Sequence, residues 1–172
     1  VLEVGNPPYA DWLEAYIPIK QHVLIRFGKW QEILDEPLPD DPELYCVTTA
    51  TIRYTRAVAY AATNRVAEAE AERVLFYEAV ARVPDSRRLF NNTALDILSV
   101  AEQMLLGELE YRKGNYDVAF DHLRKSVEID DHLPYDEPWA WMQPTRHALG
   151  ALLMEQKHYE EAEAVYRADL GL

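Results

Sequence analysis

A small residue followed twelve positions later by alanine recurs three times in this chain: Ala57 with Ala69, Gly107 with Ala119, and Gly150 with Ala162. Gln21 and Ile33 hold the same places in a degenerate fourth copy upstream. A small side chain at that spacing lets two antiparallel helices pack backbone to backbone. One such hairpin cannot bury its own apolar face, so the recurrence predicts a stack of hairpins. No segment alternates with period two for long enough to argue a sheet. The expectation is an all-α chain, with residues 1–172 forming a single domain of about four antiparallel hairpins.

The two clearest copies run Ala101-Glu102-Gln103-Met104-Leu105-Leu106-Gly107-Glu108-Leu109-Glu110-Tyr111-Arg112-Lys113-Gly114-Asn115-Tyr116-Asp117-Val118-Ala119-Phe120 and His147-Ala148-Leu149-Gly150-Ala151-Leu152-Leu153-Met154-Glu155-Gln156-Lys157-His158-Tyr159-Glu160-Glu161-Ala162-Glu163-Ala164-Val165-Tyr166. Each carries Leu-Gly on a first helix, an aromatic after the turn, and alanine on a second helix; the earlier copy spells its small residue Leu106-Gly107, the later Leu149-Gly150. Both resemble the tetratricopeptide repeat (TPR) family, and the resemblance covers most of the chain, from about Ala15 to the end. The stretch Glu137-Pro138-Trp139-Ala140-Trp141-Met142-Gln143-Pro144-Thr145-Arg146-His147-Ala148-Leu149-Gly150 is also similar to uncharacterised bacterial TPR proteins. The resemblance implies a right-handed superhelix, whose first helices line a concave groove.

Equivalent small-residue positions lie 36, 50 and 43 residues apart, against roughly 34 for the regular repeat. Extra residues therefore fall at about 83–92 and 132–144. Insertions in a solenoid map to its edges, often on the binding side. Local signals agree with this division. Asp41-Pro42 reads as an N-cap followed by proline at the first helical position, opening a helix toward Asn64. Thr93-Ala94-Leu95-Asp96 is a loose capping box. Residues 66–73 are strong helix formers, Pro84 stops the helix they begin, and Pro18 should kink or divide the first. The second helix of the first pair should end by Pro37.

A net charge of −13 argues against nonspecific binding to nucleic acid or an anionic membrane. Glu68, Glu70 and Glu72, with Asp35, Glu36, Asp40 and Asp41, read as a solvated outer face. No apolar run is long enough to span a bilayer, and a cytoplasmic location is the default expectation. The lone Cys46 permits no internal disulfide, and its apolar neighbours favour packing over nucleophilic chemistry. The chain opens on Val1-Leu2-Glu3 without methionine and stops where a fourth hairpin would finish, without a polar capping helix. A fragment of a longer array is the expectation, or a chain that covers its open end by self-association.

TPR geometry nominates groove residues: His22 and Arg26; Tyr54, Val58 and Ala61; Met104, Glu108, Tyr111 and Arg112; His147, Ala151, Met154 and Glu155. This surface lacks the Lys and Asn set with which co-chaperone TPR domains clamp acidic tails. A peptide or protein gripped by aromatic anchors and arginine fits it better; packing of Tyr54, Tyr111 and Met104 between helices is the open alternative. Trp139 and Trp141, one residue apart in the second insertion, either roof the groove or plug the gap between pairs. Asp136 and Glu137 beside them suit a helix N-terminus.

The five histidines, His22, His122, His132, His147 and His158, show no metal-ligand spacing. His22 and His147 would lie at opposite ends of the array, and His122 and His158 on solvated second-helix surfaces or turns. No phosphate loop, nucleophile elbow or nucleophile–base set is present, so neither cofactor nor metal is expected. Asn91-Asn92-Thr93 matches a glycosylation acceptor. Arg87-Arg88 reads as a solvated turn, or as a contact for an acidic partner. The expected function is therefore a non-enzymatic protein-interaction scaffold. Its rivals are a homodimerising module using the terminal repeat, and a ligand-binding or catalytic fragment around His147, Tyr111 and Trp141.

Overall fold

The computed structural model describes residues 1–172 and is mostly helical. Helices α1 (Ala10–Leu13), α2 (Ile19–Arg26), α3 (Trp30–Asp35), α4 (Cys46–Ala62) and α5 (Val66–Val80) precede a two-stranded hairpin of β1 (Arg88–Leu89) and β2 (Asn92–Thr93). Helices α6 (Ala94–Arg112), α7 (Tyr116–His132), α8 (Thr145–Glu155) and α9 (Tyr159–Asp169) complete the chain. The pairs α2/α3, α4/α5, α6/α7 and α8/α9 are antiparallel hairpins. No helix is long and apolar enough to cross a membrane.

All eight positions of the small-residue pattern are buried. The four turns repeat as well, in atomic detail. Gly28, Asn64, Gly114 and Lys157, each seven residues after the small-residue position, take φ values of 61°, 60°, 83° and 65°. The next residue's N–H then returns to the carbonyl five residues back: Lys29 to Leu24, Arg65 to Tyr60, Asn115 to Glu110 and His158 to Leu153, at 2.8–3.0 Å. A left-handed residue that reverses the chain and satisfies helix-end carbonyls is the physical content of each turn. The upstream copy shares it, so its degenerate sequence conceals a regular hairpin.

The close approach falls one helical turn beyond the expected partner. A Cβ on Gly107 would lie 2.6 Å from Leu123 Cγ, and one on Gly150 would lie 2.6 Å from Tyr166 Cζ. Both neighbours sit sixteen residues on, so the small residue makes room for a large side chain as well as for alanine.

Pro18 does divide the first helical region, and α2 begins after it. Thr93 caps α6 as expected, its Oγ1 accepting from Asp96 N–H at 3.1 Å. Asp41 instead accepts from the N–H groups of Glu43 and Leu44 in a turn, and α4 starts at Cys46, later than Asp41-Pro42 suggests. An amide of the first turn of α4, left without a helical partner, is satisfied from far away: Glu14 Oε1 accepts from Thr48 N–H at 2.7 Å.

The acidic outer face is only partly solvated. Glu72 pairs with Arg53 at 3.0 Å and is largely buried, while Glu70 joins Arg73 and Lys113, tying α5 to α6. Arg87 is also buried rather than solvated, against Asp11 at 3.5 Å, Glu14 at 3.6 Å and Leu44 O at 3.0 Å.

Candidate functional site

The groove expected from the hairpins is filled by the protein itself. Residues 133–144 form no helix and cross the face where α2 and α4 meet. Trp141 is buried there, its ring 4.8 Å from His22 and 5.6 Å from Tyr54, both edge-on. Gln143 Nε2 donates to His22 O beside it. Burial pushes the His22 imidazole down to about 4 and the Tyr54 phenol upward, with Glu108 adding to the latter. Trp141 is therefore a plug. Trp139 is 69% exposed, so the two tryptophans play different parts.

Several nominated groove residues are removed from solvent, His22 and Tyr54 beneath Trp141 and the others between helices. His22, Tyr54, Met104, Tyr111 and Trp141 all belong to the buried set. Met104 Sδ accepts from Ser126 Oγ–H at 3.3 Å, and Tyr111 meets Tyr116 edge-on while its hydroxyl accepts from Gln156. Glu108 and Arg112 are half-buried and pair with each other at 2.8 Å. Arg26, Trp139 and Met154 remain exposed, with His147 half-buried.

The helices carrying His22 and His147, expected at opposite ends of the array, meet through Arg26. Arg26 Nη1 donates to His147 Nδ1 at 2.9 Å, and His147 Nε2 meets Asp169 Oδ2 at 3.0 Å. A guanidinium has no acceptor, so Nδ1 accepts and Nε2 carries the proton given to Asp169. This relay clasps the first hairpin to the last. Tyr111 and Trp141 are both packed into the main core, whereas His147 is half-buried against Arg26 and Asp169. A cleft of about 390 Å³ runs beside Trp139, with Asp130, Arg146 and Asp169 on its walls. Its charges are largely engaged internally: Arg146 grips both Asp131 oxygens, and Thr145 donates to Asp130, whose carboxyl burial raises. Cys46 is buried with its thiol pushed up by burial and by Glu14. No group of three or more His, Cys, Asp or Glu side chains is placed to hold a metal ion. His122 is tied to Gln103 at 2.8 Å rather than free on the surface.

The two insertions, separated by two helices, meet on one side of the molecule. Asp136, 5% exposed, is their knot: Oδ1 accepts from Asn91 N–H at 3.2 Å and Oδ2 from Asn92 Nδ2 at 2.5 Å. Asn92 and Asn91 side chains also donate to the carbonyls of Pro134 and Tyr135. Asp136 and Glu137 thus lie in an irregular loop and not at a helix N-terminus; α8 begins only at Thr145. The N-terminal segment joins the knot through Arg87, which holds Asp11 and Glu14.

Above this base lie four aromatic rings from three chain segments, three exposed and Tyr16 half-buried. Tyr16 and Phe90 meet at 5.2 Å with planes 89° apart. Trp12, Phe90 and Tyr135 are 49%, 48% and 71% exposed. Together with Asp136 and Glu137 they bound an open recess of about 600 Å³. Phe90 occupies the β-hairpin turn with φ of 47°, a conformation costly for a bulky L-residue. The turn holds this ring outward at the expense of backbone comfort. None of these aromatics was singled out by the repeat pattern. The available signal was their position, because Phe90 and Tyr135 lie in the two insertions.

No family model matches this chain, and no curated protein or solved structure shows significant similarity to it.

Proposed function

We propose that the chain is a TPR-like superhelical module that binds a protein partner through the composite aromatic face, not through the concave groove. The four hairpins with identical left-handed turns support the repeat reading. The observation that carries the functional reading is the placement of Trp12, Tyr16, Phe90 and Tyr135 on a base pinned by buried polar groups. Exposed aromatics on a rigid platform bind without loss of much side-chain entropy, which is why such residues anchor interfaces. Preorganisation by the Asp136 knot reduces the ordering that binding would otherwise require. Trp12, Phe90 and Tyr135 replace the buried Tyr54, Tyr111 and Met104 as anchors.

A photo-crosslinking side chain placed at Tyr135 and, separately, at Val118 on α7 tests this in extracts of the source cell. The expected result is a discrete protein adduct from position 135 and none from 118. Equal, diffuse labelling from both positions refutes the face. Pairing of two copies is the second reading, favoured by exposed Tyr159, Leu170 and Leu172 at the last helix. A concentration-dependent dimer in native mass spectra, lost on Leu170→Ser, selects it.

A further inference from the structure

The recess between Trp12, Tyr16, Phe90 and Tyr135 has a chemical preference beyond being apolar. Its two carboxylates, buried Asp136 and exposed Glu137 at the rim, have no cationic partner. Asp136 is buried yet held only by amide donors, and Glu137 is met only by the Tyr135 hydroxyl; neither forms an ion pair. Buried or enclosed carboxylates are usually neutralised by a cation. Every other interior carboxylate on this side has one, since Asp11 and Glu14 share Arg87. Burial and the nearby Asp136 charge push the Tyr16 phenol above its ordinary value, and both residues line the recess. The orthogonal Tyr16 and Phe90 rings form two walls of a box, with Trp12 and Tyr135 around the same opening.

We propose that this recess takes the methylated ammonium head of a lysine side chain on the partner. The inference rests on the aromatic face being the docking surface. Ring faces attract a cation through their quadrupole but accept few hydrogen bonds. An alkylated head, which has few or no N–H donors to leave unsatisfied, suits such walls better than a bare ammonium. The carboxylates supply charge at the floor and rim, and the net −13 of the chain draws basic segments toward it.

The test uses two blocked tripeptides, Gly-X-Gly, differing at one atom. X is trimethyllysine in one and its neutral carbon isostere, ending in a tert-butyl group, in the other. Calorimetric titration of the full chain should show the cationic peptide binding roughly tenfold tighter than its isostere. Phe90→Asn should abolish that preference. Asparagine tolerates the positive φ at this turn, so the thermal midpoint should hold or rise, separating loss of the wall from loss of fold. Glu137→Gln should weaken only the cationic peptide. Equal binding of the two peptides overturns the charge preference while leaving the face a docking surface. No binding of either up to about 10 mM, or a tenfold preference that survives Phe90→Asn, overturns the site itself. A preserved preference alongside failed crosslinking from position 135 would keep the cation site and sink the protein-partner reading.

Discussion

Acidification should loosen the plug at His22 by a calculable amount. The imidazole is buried against Trp141, and burial alone lowers it from 6.5 to about 4. The unfolded chain takes up this proton as pH falls through 6.5, whereas the folded protein resists until about 4. In that window the unfolded state binds more protons, so stability drops as the pH is lowered and is flat on either side. At about 1.4 kcal/mol per pH unit the whole interval is worth about 3 kcal/mol, of which roughly 2 kcal/mol falls between pH 7 and 4.5. Glu14 and Asp130 oppose it, because burial raises both carboxyls and favours the folded state as they protonate. The clean measurement is therefore a difference. Urea unfolding followed by circular dichroism, at pH 7 and 4.5, should be compared between the protein and His22→Phe, which keeps a ring against Trp141. The variant should lose about 2 kcal/mol less than the parent on acidification. Identical pH dependence in the two proteins would refute the burial argument for His22.

Two further substitutions probe the frame. Arg87→Met leaves Glu14 buried without its cation and should cost about 3 to 5 kcal/mol in chemical denaturation, whereas Arg88→Met should stay within about 0.5 kcal/mol. Glu14 already binds its proton more readily when folded, so the Arg87 deficit should be larger at pH 8 than at pH 5. Gly107→Ala drives a Cβ into the fully buried Leu123 and should lower stability by about 1 to 3 kcal/mol by the same assay. Gly150→Ala meets the half-exposed Tyr166 ring, which can swing into solvent, and should cost distinctly less.

The hairpins were legible because their determinants are local. Gly107, Gly114 at the turn and Ala119 act within about a dozen residues of chain, so fixed spacing reports them. Lys157 and Asn64 take the same left-handed turn as Gly28 and Gly114, which shows that position in the repeat outweighs residue type there. The filled groove was hidden for the opposite reason. Trp141 reaches Tyr54 and His22 across roughly half or more of the chain, and no local pattern encodes that meeting. Charged residues misled most. Arg87 and Glu14 look like surface residues in sequence, yet they pair as ions in the interior, where Glu14 also accepts from the N-terminus of α4. Asp136 matched the expected chemistry of a helix start, while its real partners, Asn91 and Asn92, lie in the other insertion.

The clasp of Arg26, His147 and Asp169 changes how such an array must come apart. Stacked repeats ordinarily touch only their neighbours, so end units can fray while the middle persists. Here a contact spans 121 residues of chain, and the Trp141 plug bears on α2 and α4 together. Neither terminal hairpin can peel away without opening the other's contacts. Such long-range closure slows the search for the native state, because its entropy cost comes before its reward. In exchange, the four hairpins should melt as one cooperative unit.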